Sequence, residues 1–144
     1  MKRDCNNIYK IARKNAGLTQ EEAAELLHIS VRSLADYEAG RTIPPDDIVC
    51  NMVQIYNARW LAYSHLKHST MIGQKYLPDL SLTDLPRSVL KLQKEVRDLE
   101  NINGELIAIV CDGEIDETEK PKWKKIAQEI NEMAGAALSV VFSS

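Results

Sequence analysis

The amino-acid sequence predicts an all-α protein, in which a group of short helices precedes a long two-helix hairpin. Apolar residues recur at intervals of three and four along almost the whole chain, which is the spacing of one helix face. No segment alternates apolar and polar residues over a useful length, so we expect no strand. With 144 residues, of which 44% are hydrophobic, the chain has enough apolar material for a folded core.

Five short helices are predicted in residues 1–68, because helix start and stop signals divide this part of the chain. Thr19 is expected to be an N-cap, and Glu22 three residues later completes a capping box. Ser30 is the expected N-cap of the next helix, and Gly40 ends it. The predicted helix ranges are 6–15, 20–27, 31–39, 44–56 and 58–68.

Residues 69–83 are predicted to form a linker, because Gly, Pro, Ser and Thr residues break the helical periodicity there. Two long helices follow, over roughly 84–111 and 118–142. Thr83 and Thr118 are their expected N-caps, each followed by an acidic residue and then by a proline in the first turn. Asp116 is the alternative cap of the second of these helices. The predicted domains are therefore 1–68 and 84–144.

Composition and charge exclude several classes of protein. Residues 1–70 carry nine Lys/Arg and eight Asp/Glu, whereas residues 71–144 carry nine and thirteen, so any nucleic-acid surface is expected in the first half. The three cysteines are scattered, which argues against a disulfide framework or a zinc site and favours the cytoplasm. No apolar run is long enough for a membrane span.

We find no sequence sign of an enzyme, a metal site or a bound cofactor. No nucleophile–base pair and no phosphate-binding loop is recognisable, so no catalytic residue is assigned. His65 and His68 are expected to be surface or interface residues rather than ligands.

A helix-turn-helix layout is visible in residues 18–40, LTQEEAAELLHISVRSLADYEAG. Two short predicted helices flank a three-residue turn, and Ala24 is small where the two helices must cross closely. Ile29 and Leu34 can fill the angle between them. Segment 8–67 resembles the Cro/repressor-type helix-turn-helix domain, also called the XRE family. The matching residues are Gly17 to Glu22, Ala24, Ser30, Leu34, Tyr37, Glu38, Gly40, Arg41 and Pro44.

The resemblance implies a five-helix, lambda-repressor-like domain that binds double-stranded DNA, usually as a dimer. Arg13 and Glu38 match a pair that in this family supports the recognition helix. Arg32 is the best candidate to read a base, because its planar guanidinium can pair with guanine O6 and N7. The base-reading positions implied by the resemblance are Val31, Arg32, Ala35 and Asp36. The phosphate-contacting positions are Gln20, Ser33, Arg41 and Thr42.

Three residues depart from the family pattern. His28 stands where the family commonly has a glycine in a left-handed conformation. Val31 replaces a residue that is often polar, and it can contact a thymine methyl group instead. Asp36 puts a negative charge on the reading face, where it can accept a hydrogen bond from cytosine N4 or weaken binding.

The C-terminal hairpin is predicted to pair two chains. Apolar residues from Val89 to Val110 alternate steps of three and four, which is a heptad pattern with Asn103 at one a position. The stripe is wider than a two-stranded seam needs, so a four-helix bundle from two chains is expected. The alternative is a hairpin packed on its own N-terminal domain, and parallel or antiparallel pairing stays open. The predicted dimerisation residues are Leu92, Val96, Leu99, Asn103, Leu106, Ile126 and Ile130.

The function that these patterns favour is a sequence-specific, DNA-binding transcriptional regulator. We expect a phage- or prophage-type repressor that occludes its operator as a homodimer. The alternative is an antitoxin or protein-sequestering module, in which the acidic C-terminal hairpin binds a protein partner.

Overall fold

The structure is a computed structural model that describes residues 7–143, and it confirms the all-α prediction. Within that range the chain forms helices and no strand, and no helix is both long and apolar enough to cross a membrane. Two compact units divide after Leu77. The helices are α1 (Ile8–Asn15), α2 (Gln20–Leu27), α3 (Val31–Glu38), α4 (Asp46–Ile55), α5 (Arg59–Ser69), α6 (Met71–Tyr76), α7 (Leu85–Val110) and α8 (Lys120–Ser143).

The first unit packs α1 to α5 around one apolar core. Leu34, Met52 and Leu61 are fully buried and come from α3, α4 and α5, so this core joins helices that are distant in sequence. Small residues on α2, Ala23 and Ala24, are also buried and leave room for close helix crossings. The predicted start of the first helix at residue 6, like Cys5, lies outside the described residues.

Side-chain caps fix the starts of the first three helices. The Asn7 side chain accepts hydrogen bonds from two backbone N–H groups of α1. Thr19 and Glu22 form the predicted capping box of α2, and the Ser30 side chain accepts from the backbone N–H of Ser33 in α3. These local bonds satisfy N–H groups that a helix start would otherwise leave unpaired.

The segment predicted to be a linker contains a helix, so this part of the prediction is wrong. The side chain of Thr70 accepts from the backbone N–H of Gly73 and caps α6. A Cβ atom at Gly73 would lie only 2.0 Å from the carbonyl oxygen of Leu66. Gly73 therefore permits the close approach of α6 to α5 and does not break the helix.

The second unit is an antiparallel hairpin of α7 and α8, with an extended segment that begins at Pro78. The Ser88 and Ser143 hydroxyls lie 3.2 Å apart at one end, and Lys122 Nζ lies 3.5 Å from a Glu105 carboxylate oxygen towards the other. The backbone N–H of Ser81 donates to Ser139 Oγ of α8 (3.1 Å), so the extended segment packs on that helix.

Carboxylates cap the starts of the hairpin helices. Asp84, rather than the predicted Thr83, accepts a hydrogen bond from the backbone N–H of Arg87 at the start of α7. Asp116, the predicted alternative to Thr118, accepts from two backbone N–H groups in the turn before α8. In both cases a carboxylate is the acceptor, and a charged acceptor makes a stronger hydrogen bond than a hydroxyl.

The intrachain seam of the hairpin is shifted by one residue from the predicted heptad pattern. The buried residues of α7 are Ser88, Glu95 and Ile109, each one position before a predicted a residue. The leucines at d are half-buried, whereas Val96 is 40% exposed and Asn103 is exposed. On α8, Ile126 is buried and Ile130 half-buried. The predicted a positions therefore flank the contact of α7 with α8 instead of forming it.

Candidate nucleic-acid interface

The turn between α2 and α3 sets the direction of the exposed helix. His28 has φ 55° and ψ 40°, which is the left-handed conformation that ends α2. The backbone N–H of Ile29 donates to the carbonyl oxygen of Ala24 (3.0 Å), closing the turn on the last residues of α2. His28 thus adopts the left-handed conformation that the family resemblance implies for this position, and its side chain makes that conformation more strained than it would be for glycine.

The outer face of α3 presents the residues predicted to read bases. Val31 is 40% exposed and Arg32 is exposed, while Ala35 and Asp36 are half-buried. No carboxylate within residues 7–143 forms an ion pair with Arg32, so its guanidinium can meet an outside acceptor. Arg32 therefore offers five N–H donors at the start of a helix whose opposite side is anchored in the core.

Asp36 and Arg41 form an ion pair with each other. Arg41 Nε lies 2.6 Å from Asp36 Oδ1, with side-chain exposures of 64% and 29%. The backbone N–H groups of Arg41 and Thr42 also point to the carbonyl oxygen of Asp36, at 2.9 and 3.4 Å. A predicted base reader and a predicted phosphate contact thus neutralise one another, while the Thr42 side chain is exposed beside them.

The other two predicted phosphate contacts are engaged within the protein. Gln20 Nε2 donates to Glu38 Oε2 (2.9 Å). This hydrogen bond uses only one of the two N–H donors of the Gln20 amide, and the backbone N–H of Gln20 lies at the start of α2. The Ser33 hydroxyl lies 2.8 Å from the Ser30 hydroxyl. The Gln20 and Ser33 side chains are therefore held in place by contacts within the protein.

A buried ion pair joins the helix behind the reading face to that face. Arg13 of α1 donates to both carboxylate oxygens of Glu38 on α3, at 2.5 and 2.9 Å, with side-chain exposures of 8% and 3%. Arg13 Nη1 also donates to the carbonyl oxygen of Leu18 (2.7 Å). Together with Gln20, this network links α1, α2 and α3 through four hydrogen bonds.

The same network shifts the pKa values of its members. The hydrogen bond to Glu38 raises the pKa of Arg13 above its usual range against the opposing effect of burial. Burial acts to raise the pKa of Glu38, but the hydrogen bonds from Arg13 and Gln20 and the charge of Arg13 lower it below 4.5. Burial raises the pKa of the neighbouring Tyr56 hydroxyl to about 12. Arg13 and Glu38 are thus both ionised at neutral pH.

His65 is buried, which contradicts its predicted place on the surface. Its Nδ1 lies 2.7 Å from the Tyr9 hydroxyl and its Nε2 lies 2.9 Å from Asp46 Oδ1, so it connects α1, α5 and α4. Burial, followed by the charge of Asp46, raises the pKa of Tyr9 to about 12. The available signal was its position four residues after Leu61, which places both on the buried face of α5.

Comparison with known proteins finds a family model that matches the first unit and one similar protein. Residues 10–59 match the family model described as helix-turn-helix. The chain is similar to the HTH-type transcriptional regulator ImmR of Bacillus subtilis (strain 168), with 29% identity over 108 residues, 75% of this chain and 76% of that protein. No solved structure matches the chain. The resemblance to the helix-turn-helix family is thereby confirmed over residues 10–59.

Proposed function

We propose that the protein is a DNA-binding transcriptional regulator that acts in the cytoplasm as a phage- or prophage-type repressor. The observation that carries the proposal is Arg32 on α3 of the helix-turn-helix segment, which is exposed and forms no ion pair within residues 7–143. The similar ImmR protein is a transcriptional regulator, which supports the same class of function. In this proposal the protein represses transcription because it occludes its operator.

In this proposal, Val31, Arg32 and Ala35 contact base edges from the major groove. Gln20, Ser33 and Thr42 contact phosphates, so they position α3 without reading sequence. Asp36 has two roles, because it is close to the bases and also holds Arg41.

A dimer is part of the proposal, because one helix-turn-helix unit covers only one half-site. Its support is an apolar row on α7 that lies outside the contact with α8. Val89, Val96 and Val110 are 36%, 40% and 43% exposed, and Asn103 lies in the same row. A single Asn among apolar a residues is a device that fixes the register and the number of chains in a coiled coil. A second copy of the chain therefore suits this row.

DNA binding is tested by fluorescence anisotropy with the full chain, on a duplex from upstream of its own gene and on a scrambled duplex. We expect selective binding that weakens steeply as salt rises. Arg32→Ala should lose about 1–3 kcal/mol of binding free energy on the upstream duplex and far less on the scrambled duplex. Arg97→Ala, an exposed residue of α7, removes the same charge and serves as the control.

If the operator lies elsewhere in the genome, selection from a pool of random duplexes can still find its sequence. If no sequence is enriched and both duplexes bind equally weakly, the regulator proposal is wrong. The antitoxin or protein-sequestering alternative then takes its place.

Dimerisation is tested by sedimentation of the full chain. Val96→Glu should give monomers because it puts a charge into the apolar row. Asn101→Asp, on an exposed position of another face of α7, should not. If the wild-type chain is a monomer at micromolar concentration, or if both variants behave alike, the apolar row is not a dimer interface.

A further inference from the structure

A polar cavity lies inside the second unit, between its extended segment and its two long helices. Its volume is about 390 Å³, and it is lined by Asp79 of the segment, Lys91 and Glu95 of α7, and Asn131 and Glu132 of α8. Oxygen-bearing side chains therefore reach this cavity from three parts of the hairpin unit. The cavity belongs to no part of the helix-turn-helix domain.

Glu95 places an uncompensated carboxylate oxygen in this region. Its side chain is only 7% exposed, because it occupies a seam position of α7 that faces α8. Lys94 Nζ approaches one oxygen, Oε1, at 3.6 Å. The other oxygen, Oε2, is fully buried, and no hydrogen-bond partner reaches it from residues 7–143. Burying such an oxygen without a partner is costly, so the position calls for a positively charged or hydrogen-bonding ligand.

Two further carboxylates face Glu95 from the opposite helix. Glu129 and Glu132 lie three residues apart on α8, and one oxygen from each, together with one from Glu95, lies within 4.8 Å of the others. Carboxylates this close repel one another unless a cation neutralises them. Lys91 is a cation at the cavity, but no ion pair joins it to these three carboxylates in the part of the chain that the structure describes.

The spacing of the oxygens suits one divalent cation. Ligands on opposite sides of a calcium ion lie about 4.6–5.2 Å apart, and adjacent ligands lie closer. A set confined within 4.8 Å can therefore surround a single ion. All three ligands are carboxylates, and oxygen-only sets favour Mg²⁺, Ca²⁺ or Mn²⁺ over zinc or copper.

We propose that Glu95, Glu129 and Glu132 bind a divalent cation of the magnesium, calcium or manganese class. The ion joins α7 to α8 beside the cavity, and it neutralises the buried Glu95 carboxylate. Asn131 and Asp79, which line the same cavity, are candidates for outer contacts through water. The proposal does not rest on DNA binding, and it is tested by experiments that involve no DNA.

The test uses the full chain after treatment with a chelator and desalting. Manganese is the probe, because its electron paramagnetic resonance signal distinguishes free from bound ion. We expect one Mn²⁺ per chain and a higher melting temperature in Mn²⁺ than in KCl of equal ionic strength. At an ion concentration 100 times its Kd, the unfolding equilibrium constant of the hairpin unit should fall about 100-fold.

Glu132→Gln is the first variant, since Glu132 is exposed and the chain should fold without its charge. It should lose manganese binding and the melting shift, whereas Glu114→Gln, in the exposed turn before α8, should keep both. Glu95→Gln should melt higher than wild type in chelator, because the repulsion is relieved, and lower than wild type in Mn²⁺.

Three outcomes would overturn the proposal. One is the absence of manganese binding by the wild-type chain. The second is binding that Glu132→Gln and Glu129→Gln leave unchanged. The third is a Glu95→Gln variant that is folded and binds the ion as well as wild type does. A chain that binds manganese but no DNA would contradict the proposed function alone.

Discussion

Removing either member of the Arg13–Glu38 ion pair should destabilise the first unit severely. Glu38→Ala removes the acceptor of three hydrogen bonds and leaves the guanidinium of Arg13, whose side chain is 8% exposed, without its partner. Breaking a buried pair in this way costs about 3–5 kcal/mol of unfolding free energy. Arg13→Ala should cost a similar amount, because it leaves the Glu38 carboxylate buried.

The double variant Arg13→Met, Glu38→Leu should be far closer to wild type than the sum of the single losses. It removes both buried charges together, and apolar replacements of a buried ion pair are often neutral or stabilising. The Gln20 amide, which is half-buried, can then turn towards water. We expect a coupling free energy of about 2 kcal/mol or more between positions 13 and 38.

Urea unfolding can follow the first unit by itself. The chain has two tryptophans, Trp60 in α5 and Trp123 in α8, so a Trp123→Phe background leaves Trp60 as the reporter. Trp60 packs against the core of the first unit and should change its fluorescence when that core unfolds. Single losses below about 1 kcal/mol, or losses that simply add, would refute the argument that this pair is buried and coupled.

The pair also gives the first unit a defined sensitivity to acid. Folding lowers the pKa of Glu38 below 4.5, so the folded chain holds this proton less tightly than the unfolded chain does. The contribution of the Glu38 carboxylate to the free energy of unfolding is therefore complete above pH 4.5. It is lost as the pH falls through the lower pKa that Glu38 has in the folded chain. The double variant should lose less stability than wild type over that acid range.

Two other substitutions test single contacts. Asp36→Asn should free Arg41 from its 2.6 Å ion pair and steepen the salt dependence of DNA binding by about one phosphate contact, a change of about 0.9 in slope; an unchanged slope in titrations from low to high salt would contradict this. Gly135→Ala would place a Cβ atom 2.9 Å from the carbonyl oxygen of Asp79, so it should cost the second unit about 1–3 kcal/mol. In Gly104→Ala the new Cβ atom meets nothing within 4 Å, so this variant should stabilise α7 by about 0.5–1 kcal/mol. The unfolding free energies of the two glycine variants are measured by Trp123 fluorescence in urea. If Gly135→Ala and Gly104→Ala change the unfolding free energy equally, crowding at Gly135 is unimportant.

Features that depend on neighbouring residues could be predicted well from the sequence. The capping box of Thr19 and Glu22 and the cap at Ser30 were predicted because each side chain bonds to a backbone group three residues away. The positions of α2 and α3 follow from those caps. The left-handed conformation at His28 is expected from the family resemblance, because His28 stands where that family commonly has a glycine in this conformation.

Features that depend on distant residues could not be predicted in the same way. Gly73 was interpreted as a helix breaker because nothing in the local pattern indicates its approach to Leu66. The burial of His65 depends on Tyr9, which lies 56 positions away. In α7, two adjacent stripes share the leucines at d, and only packing against α8 decides that the stripe through Glu95 is buried.

In the candidate site, too, features that depend on neighbouring residues are predictable and features that depend on distant residues are not. Arg32 was predicted to be available, and it is exposed on α3. The pairing of Asp36 with Arg41 was not foreseen, because it crosses the end of the helix, where the chain changes direction. The cluster of Glu95, Glu129 and Glu132 joins two helices through a long turn, so no local spacing rule reveals it.

The seam of the hairpin has different chemistry in its two halves, and this difference makes misaligned pairings costly. Buried Ser88 and Glu95 occupy the first half of α7, where Ser88 lies beside Ser143 and Glu95 faces Glu129 and Glu132, whereas Ile109 is buried in the second half. Sliding one helix by a heptad, about 10 Å, would place the Glu95 carboxylate among apolar side chains. Hairpins that close with the wrong alignment during folding are therefore less stable and reopen, so the two long helices select a single alignment without any other domain to guide them.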